Sequence, residues 1–451
     1  MTGAMAEGSK PEQDVRPGGG RRDEARRGAA GHGDAEQGGS GECRSDGQQE
    51  GHGECRSDGQ QEGGGDCPSD GQQRRRLVAW RGAGRTLTRR PGERTLRERL
   101  TELVRDAEEV YDLAESVDLY GDGVVAELER RVAELLGFPS AVFFPTGTMA
   151  QQVALRCWAG RSGNPVVALH PVAHPELHER DALTAVSGLR TVHPTREPRL
   201  PTASEVRALE EPFGTLMLEL PLRDAGYVLP EWHELVEVVE AARERDALVH
   251  FDGARLWETT SRFGRGLSEI AGLADSVYVS FYKSLGGLSG AALVGPEAFV
   301  DEARVWRHRY GGSVFQQHPA ALAALAGLER ELPRLPEYVA QAAVVAGALR
   351  EGLEAAGVPW LRLQPERPHT HEFRVWLPYP PDVLAEAALR QSERTGVTLF
   401  HRWFGGGPAG PPGIAYTEVS VTAPGLAWTA DDVKEAAGRF MEFVRQVAQE
   451  A

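Results

Sequence analysis

Two short segments about thirty residues apart carry residue types that could do chemistry together. The first reads His250-Phe251-Asp252-Gly253-Ala254-Arg255, and the second reads Ser280-Phe281-Tyr282-Lys283-Ser284-Leu285-Gly286. In each segment the ionisable residue, Asp252 or Lys283, follows a short apolar run that is typical of a buried strand. A carboxylate at Asp252 could hold a proton on a ring nitrogen, and the amine of Lys283 could condense with an aldehyde.

Pyridoxal phosphate (PLP) requires one group of each kind. Lys283 would carry it as a Schiff base, so its amine must lose a proton more readily than that of a solvated lysine. Taken alone, Lys283 could be a surface lysine and Asp252 part of an Asp-Gly turn. The apolar strand Ser276–Ser280 and the flexible Gly286-Gly287 favour a ligand site instead. Arg255 could donate to a cofactor oxygen or a substrate carboxylate, or form a surface salt bridge.

A second group of candidate residues could hold the cofactor's phosphate and ring. Phe144-Pro145-Thr146-Gly147-Thr148-Met149-Ala150 ends a strand and opens a helix, where backbone N–H groups and the hydroxyls of Thr146 and Thr148 could bind a phosphate. The same sequence is also compatible with an ordinary N-cap turn. His174 lies in Ala173-His174-Pro175-Glu176-Leu177-His178 after the next strand. Its imidazole could stack on a pyridine ring, or it could be an ordinary loop histidine.

The elements around these residues predict the fold class. Most intervals between the β-type runs are long enough for a helix, which favours an α/β fold with a mostly parallel sheet flanked by helices. Ligands gather at the carboxyl ends of such strands, where Thr146, Asp252 and Lys283 fall. The link that follows Lys283 is too short for a crossover helix, so the last run is expected to be antiparallel. The seven runs are Ser140–Phe144, Pro165–Leu169, Leu189–Val192, Leu216–Leu220, Ala247–Phe251, Ser276–Ser280 and Ala291–Val294.

Four regions are predicted along the chain. Residues 1–76 form a tail with almost no aromatic residues, which is typical of disorder, and residues 77–123 form an N-terminal helical segment. Residues 124–325 form a large PLP-binding domain, and residues 326–451 form a small α+β C-terminal domain. The tail repeats a twelve-residue unit around Cys43, Cys55 and Cys67, without the close cysteine pairs of zinc modules, so no metal site is expected.

Composition narrows the class of partner. The chain has 451 residues, a formal net charge of −16 and 41% hydrophobic residues, so it can bury a large core. The acidic balance argues against nucleic acid and anionic membranes, which require a basic face. No run of about 18 apolar residues suits a membrane span, and the N-terminus lacks the apolar segment of a secretory signal. A small-molecule partner and a cytoplasmic location are therefore expected.

In order and spacing, the motifs resemble those of the threonine aldolase and β-eliminating lyase family of PLP enzymes. The resemblance runs from about Tyr120-Gly121-Asp122 to Glu329 and includes the segments around Thr146, His174, Asp252 and Lys283. It implies PLP fold type I with a seven-stranded large domain, and a homodimer or homotetramer with sites at subunit interfaces. The roles it implies are a Schiff base at Lys283, a partner for the pyridine nitrogen at Asp252, ring stacking by His174, phosphate binding by Gly147 and Thr148, and a substrate or cofactor contact for Arg255.

The chain departs from the family where the substrate would bind. The family's usual Arg-Ser-Asp-Thr-Val-Thr segment has no counterpart before Tyr120, and the family's glutamate–asparagine–threonine–histidine segment is reduced to Glu219-Leu220-Pro221-Leu222. The C-terminal strand reads Thr417-Glu418-Val419-Ser420 near the place where a carboxylate-binding arginine is common. Arg402 or Arg374 could substitute for that arginine.

The resemblance implies an enzyme that breaks a bond at the α-carbon of an amino acid. The first hypothesis is retro-aldol cleavage of a β-hydroxy-α-amino acid to glycine and an aldehyde. In it, His178, or a water held by His174, takes the hydroxyl proton, and Tyr120 and Arg402 are candidate substrate contacts. The second hypothesis is β- or γ-elimination of a leaving group, possibly in specialised metabolism, with Lys283 as the base. A non-catalytic binding protein on the same fold is a third reading.

Overall fold

The computed structural model describes residues 70–406 and 413–450, which belong to one compact unit. The α-helices in these ranges are α1 (Asp70–Gly82), α2 (Leu96–Glu108), α3 (Gly123–Leu136), α4 (Gly147–Ser162), α5 (His174–His178), α6 (Ala182–Ala185), α7 (Ala203–Ala208), α8 (Trp232–Arg243), α9 (Thr260–Phe263), α10 (Leu267–Ala271), α11 (Glu297–Arg309), α12 (His318–Arg330), α13 (Leu335–Ala355), α14 (Pro381–Thr395) and α15 (Ala430–Glu450). The strands are β1 (Arg85–Thr86), β2 (Ser140–Phe144), β3 (Val166–Ala168), β4 (Arg190–Val192), β5 (Thr215–Glu219), β6 (Leu248–Gly253), β7 (Ser276–Ser280), β8 (Ala291–Gly295), β9 (Arg362–Gln364), β10 (Glu372–Leu377), β11 (Val397–Thr398), β12 (Phe404–Gly405) and β13 (Ala415–Ser420).

The large sheet contains seven strands in the order β2-β8-β7-β6-β5-β3-β4. The neighbours from β7 to β4 are parallel, whereas β8 is antiparallel to both β7 and β2. This confirms the predicted mostly parallel α/β sheet and the reversed direction of the last run. Each predicted run is found, with ends that differ by at most two residues.

Helices cover both faces of the large sheet, as alternation along β2 illustrates. Ala141 and Phe143 pack into a core that includes residues of α3, whereas Val142 and Phe144 pack with residues of α4 and α11. Successive side chains of a strand point to opposite faces, so a strand covered on both sides needs a continuous apolar sequence. The strands β5, β7 and β8 are buried along their whole length for the same reason.

Local sequence explains where the helices around the site begin and end. Helix α3 carries Val125, Leu128 and Val132 at helical spacing and ends at Gly137, whose φ of 72° is the left-handed conformation that favours glycine. Helix α4 begins at Thr146, whose hydroxyl accepts a hydrogen bond from the backbone N–H of Met149 at 3.3 Å. The cap at Gly137 sets the turn that enters β2, and the cap at Thr146 sets the turn that leaves β2 toward the site.

The second sheet has four antiparallel strands in the order β12-β13-β10-β9. It shares a separate apolar core with α13, α14 and α15, in which Phe373, Phe400 and Phe440 are buried. This sheet confirms the small α+β region that the sequence predicted near the C-terminus. The numerical domain limits given above stay a prediction.

The described residues begin within the last part of the predicted tail. Helix α1 begins at Asp70, whereas the tail was expected to extend to residue 76. The guanidinium of Arg75 binds Glu386 on α14 at 2.9 Å and Glu393 at 2.7 Å, contacts that local composition does not reveal. The cysteine repeats lie outside the described residues. No helix in the described ranges is long and apolar enough to cross a membrane.

Candidate active site

Asp252 and Lys283 lie together at the carboxyl edge of the large sheet. Asp252 is at the end of β6 and is 2% exposed, and one of its carboxylate oxygens accepts a hydrogen bond from the N–H of Ala254 at 3.1 Å. Lys283 follows the adjacent parallel strand β7 by three residues. Because both strands end at the same edge, the sheet brings the two residues together although they are far apart in sequence.

The surroundings of both groups disfavour their charged forms. Burial raises the pKa of Asp252 above its ordinary value. Although Lys283 is only half-buried, desolvation of its ammonium, together with the nearby charge of Arg255, lowers its pKa to about 8. At pH 7 about a tenth of Lys283 is therefore the uncharged amine, the form that attacks an aldehyde.

The turn from β2 to α4 forms a narrow cradle beside this pair. A Cβ atom added at Gly147 would lie 2.1 Å from the phenol oxygen of Tyr278, so only glycine allows this approach. Tyr278 lies on β7 and pairs in register with Asp252 on β6. The first N–H groups of the sixteen-residue helix α4 point outward here, and Thr146 and Thr148 are exposed beside them.

His174 is held at the site by two carboxyl groups. Its backbone N–H donates to Glu219 at 2.8 Å, and its Nδ1 lies 3.4 Å from Glu179. Glu219 ends β5 in register with Asp252, and burial together with the Asp252 charge raises the pKa of Glu219 to about 8. Glu219 therefore links the backbone of His174 to the strand edge that carries Asp252.

Arg255 belongs to a buried group of charges that sequence reasoning did not find. Its Nε lies 2.5 Å from Glu372 at the start of β10, and Glu258 lies 3.3 Å from Nε2 of His371. The hydroxyl of Ser284, next to Lys283, also donates to Glu258. The positive charges of Arg255 and His371 balance the negative charges of Glu258 and Glu372. The oxygen and nitrogen atoms of Glu258, His371 and Glu372 are also close enough together to hold a metal ion. The sequence signal was weak because β10 lies about 90 residues beyond Lys283.

Comparison with known proteins assigns the family. The family model described as β-eliminating lyase matches residues 101–371. The chain belongs to the β-eliminating lyase family. The low specificity L-threonine aldolase of Escherichia coli K12 is 33% identical over 241 residues, which cover 52% of this chain and 72% of that relative.

Solved structures agree with this assignment to the β-eliminating lyase family. A Listeria monocytogenes protein assigned as an L-allo-threonine aldolase is 33% identical, with a TM-score of 0.73 over 82% of this chain and 98% of its own. An Exiguobacterium protein assigned as an aromatic amino acid β-eliminating lyase/threonine aldolase is 32% identical, with a TM-score of 0.73 over 82% and 99% of the two chains. The assignment confirms the resemblance stated from the sequence, and with it the predicted enzyme class, a PLP-dependent lyase.

The C-terminal residues at which the sequence differs from the family pattern belong to a dense network of ion pairs. The guanidinium of Arg374 on β10 donates to Asp224 at 2.9 Å and to Glu418 on β13 at 2.9 Å. Glu418 also accepts from Arg223 at 2.8 Å. Arg374 is therefore engaged with protein carboxylates, so it is a poor substitute for the family's carboxylate-binding arginine.

Tyr120 and Arg402 lie at the surface. Tyr120 is 62% exposed, and its ring contacts Phe315 with a centroid distance of 5.3 Å. Arg402 follows His401, whose Nε2 contacts Glu93 at 2.9 Å. Arg402 is also near Arg90, because burial together with the charge of Arg402 lowers the pKa of Arg90. Within the described ranges, no hydrogen bond or ion pair joins Tyr120 or Arg402 to Lys283 or Asp252. Arg90 is a candidate anion-binding residue that the sequence did not single out.

Proposed function

We propose that this chain is a PLP-dependent lyase that cleaves a β-hydroxy-α-amino acid into glycine and an aldehyde. The observation that carries the proposal is the convergence of Lys283, Asp252, His174 and the Gly147 cradle at one sheet edge, in a chain similar to L-threonine aldolases. When bound, PLP withdraws electrons from the α-carbon of the substrate, so that a bond to that carbon can break. Because the Escherichia coli relative and the Listeria monocytogenes protein are named as threonine aldolases, aldol cleavage is favoured over elimination.

The residues present fit the cofactor. The lowered pKa of Lys283 supports its role as the amine that binds the aldehyde, and Asp252 at the adjacent strand end is suited to hold the proton of the pyridine nitrogen. Gly147 and Thr148 would donate backbone N–H groups to the phosphate, and the hydroxyl of Thr146 could add a further contact. His174, whose backbone N–H donates to Glu219 in register with Asp252, would stack on the ring.

Arg255 is the proposed anchor for the substrate carboxylate or a cofactor oxygen. Glu372 contacts its Nε, and no ion pair among the described residues engages its terminal nitrogens. A planar guanidinium held in this way can bind an anion through two parallel hydrogen bonds. Tyr120 and Arg402 remain proposed substrate contacts, and both would require the substrate or a second subunit to reach the surface they occupy.

A homodimer or homotetramer is proposed as the assembly. Leu96, Leu100 and Val104 lie four residues apart on one face of α2, and each is more than half exposed. Exposed apolar stripes of this kind mark protein interfaces. The stripe lies close to the loop that contains Lys283, because Arg99 donates to the backbone oxygen of Gly286 in that loop at 3.3 Å. A cytoplasmic location also remains a prediction.

The decisive experiment identifies both the attachment residue and the product. The chain contains only three lysines, Lys10, Lys283 and Lys434, so borohydride reduction of the PLP-loaded protein followed by peptide mapping gives an unambiguous result. We expect the label on Lys283 alone, with the partly exposed Lys434, which is paired with Glu351, as the internal control. Wild-type enzyme incubated with β-hydroxy amino acids should yield glycine and an aldehyde by mass spectrometry. Label on Lys434, or ammonia and an oxo acid as products, would contradict the proposal.

A further inference from the structure

His178 and Asp224 form a hydrogen-bonded pair next to the proposed cofactor site. The Nε2 atom of His178 lies 2.8 Å from a carboxylate oxygen of Asp224. The two residues come from different loops, since His178 ends α5 after β3 and Asp224 lies in the loop after β5. Their side chains are 11% and 12% exposed, so solvent competes little with this contact. An imidazole held by a buried carboxylate is the arrangement that prepares a histidine to accept a proton.

Asp224 is fixed as a charged acceptor. The guanidinium of Arg374 donates to its other carboxylate oxygen at 2.9 Å and to its backbone oxygen at 2.7 Å. Arg223 adds a second cation at 3.6 Å. Despite burial, the hydrogen bond from His178 and these two cations hold the pKa of Asp224 well below its usual range. Because a carboxylate only accepts hydrogen bonds, the neutral form of the His178 imidazole has its proton on Nε2 and its lone pair on Nδ1.

The position of His178 lets it act on a substrate. It lies one helical turn after His174, and their ring centroids are 5.2 Å apart. His174 is the residue proposed to stack on the cofactor ring, so His178 is adjacent to the proposed cofactor site. Residues four apart on a helix share one face, which places both imidazoles on the same side of α5.

Other ionisable groups around this space are less suited to accept a proton. Burial raises the pKa values of Tyr278 and Tyr282, so both remain phenols at neutral pH. Burial and the Asp252 charge raise the pKa of Glu219 to about 8, and this carboxyl already accepts hydrogen bonds from two backbone N–H groups. Glu179 accepts from Gln152 at 3.2 Å and faces His174.

We propose that His178 is the general base that removes the β-hydroxyl proton of the substrate, with Asp224 as its positioning residue. The inference rests on the proposed retro-aldol function. The hydroxyl proton moves to Nδ1 of His178, and the O–H electron pair forms the carbon–oxygen double bond of the aldehyde. The Cα–Cβ bond breaks, its electron pair stays on Cα, and Cα then takes up a proton to give glycine. His178 returns its proton to solvent.

The first test separates hydroxyl chemistry from the rest of the reaction. We expect His178→Gln to lower kcat for aldol cleavage about 10²- to 10⁴-fold, the usual contribution of a general base. Exchange of the glycine α-proton in D₂O needs no β-hydroxyl base, so it should change less than about threefold. The exposed His233→Gln on α8 is the matched control and should retain both activities. Equal loss of both reactions in His178→Gln, or full cleavage activity, would overturn the assignment.

The second test reads Asp224 without cofactor or substrate. In ¹⁵N spectra of the apo protein, His178 should show a protonated Nε2 and an unprotonated Nδ1, and Asp224→Asn should abolish this preference. The same variant should lose cleavage about 10²- to 10⁴-fold and retain glycine exchange. An unchanged tautomer in Asp224→Asn would refute the positioning role even if that variant were poorly active. Wild-type protein that cleaves no β-hydroxy amino acid would instead refute the proposed function, and this inference with it.

Discussion

Gly147→Ala tests the cradle at the start of α4. The added Cβ would lie 2.1 Å from the phenol oxygen and 2.9 Å from Cζ of Tyr278, whereas real Cβ contacts essentially never fall below 3.0 Å. The phenol oxygen must therefore move by about 0.9 Å. Tyr278 is 4% exposed and lies in the middle of the large sheet, so it has little room to move.

Two magnitudes follow from this overlap. Overpacking a buried site costs about 1–3 kcal/mol of unfolding free energy. Since each kcal/mol shifts the Tm of a domain of about 150–250 residues by about 2–4 °C, the Tm should fall by about 2–12 °C. If the shifted turn loses one charge-assisted hydrogen bond to the phosphate, about 1.5–3 kcal/mol of binding free energy is lost, and the Kd for PLP rises about 10- to 150-fold.

The assay combines thermal unfolding of the apo protein with titration of PLP by visible absorbance. Gly160→Ala is the matched control, because Gly160 lies in the same helix and an added Cβ would have no neighbour within 4 Å. It should raise stability by about 0.5–1 kcal/mol, since alanine favours a helix interior over glycine. If Gly147→Ala matched the wild type in both Tm and Kd, the tight approach of α4 to Tyr278, and the cradle argued from it, would be refuted.

Two further predictions concern pH. Burial lowers the pKa of His371, but the Glu258 charge outweighs burial and raises this pKa from 6.5 to about 9. The pair therefore stabilises the fold fully below about pH 6.5 and loses its contribution as the pH rises through about 9. In urea unfolding, the difference in stability between wild type and His371→Asn should be smaller at high pH, and a constant difference would contradict the pairing. Arg255→Gln removes a charge that lowers the pKa of Lys283, so the pH midpoint for PLP loading should move upward, and an unchanged midpoint would refute that coupling.

The cofactor half of the site could be predicted because its signals are local. Asp252 and Lys283 each follow a strand that is recognisable from a few consecutive apolar residues, and a parallel sheet necessarily collects such strand ends at one edge. Gly147 could be singled out for a similar reason, since a strand, a tight turn and a helix start are contiguous in sequence. The roles of these residues remain proposals, which the labelling and mutagenesis experiments test.

The substrate half could not be predicted in the same way, because its contacts join distant segments. Arg374 offered itself in sequence as an anion-binding residue, but the antiparallel pairing of β10 with β13 places it opposite Glu418. Arg255 likewise has its Nε occupied by Glu372, more than a hundred residues later in the chain. The sequence shows the charge of a side chain, whereas only the fold decides which opposite charge pairs with it.

The sequence by itself determined the order of strands and helices, the mostly parallel sheet, and the pairing of a carboxylate with an amine at its edge. These features depend on the hydrophobic periodicity and the turn residues of short sequence segments, which do not change with the way the segments pack. The tertiary structure alone decided that Asp224 reaches His178 across 46 residues, and that Arg374 holds Asp224 across 150. Such contacts arise from how loops pack above the sheet, and the physical reason is that side-chain partners there are set by distance in space and not by distance along the chain.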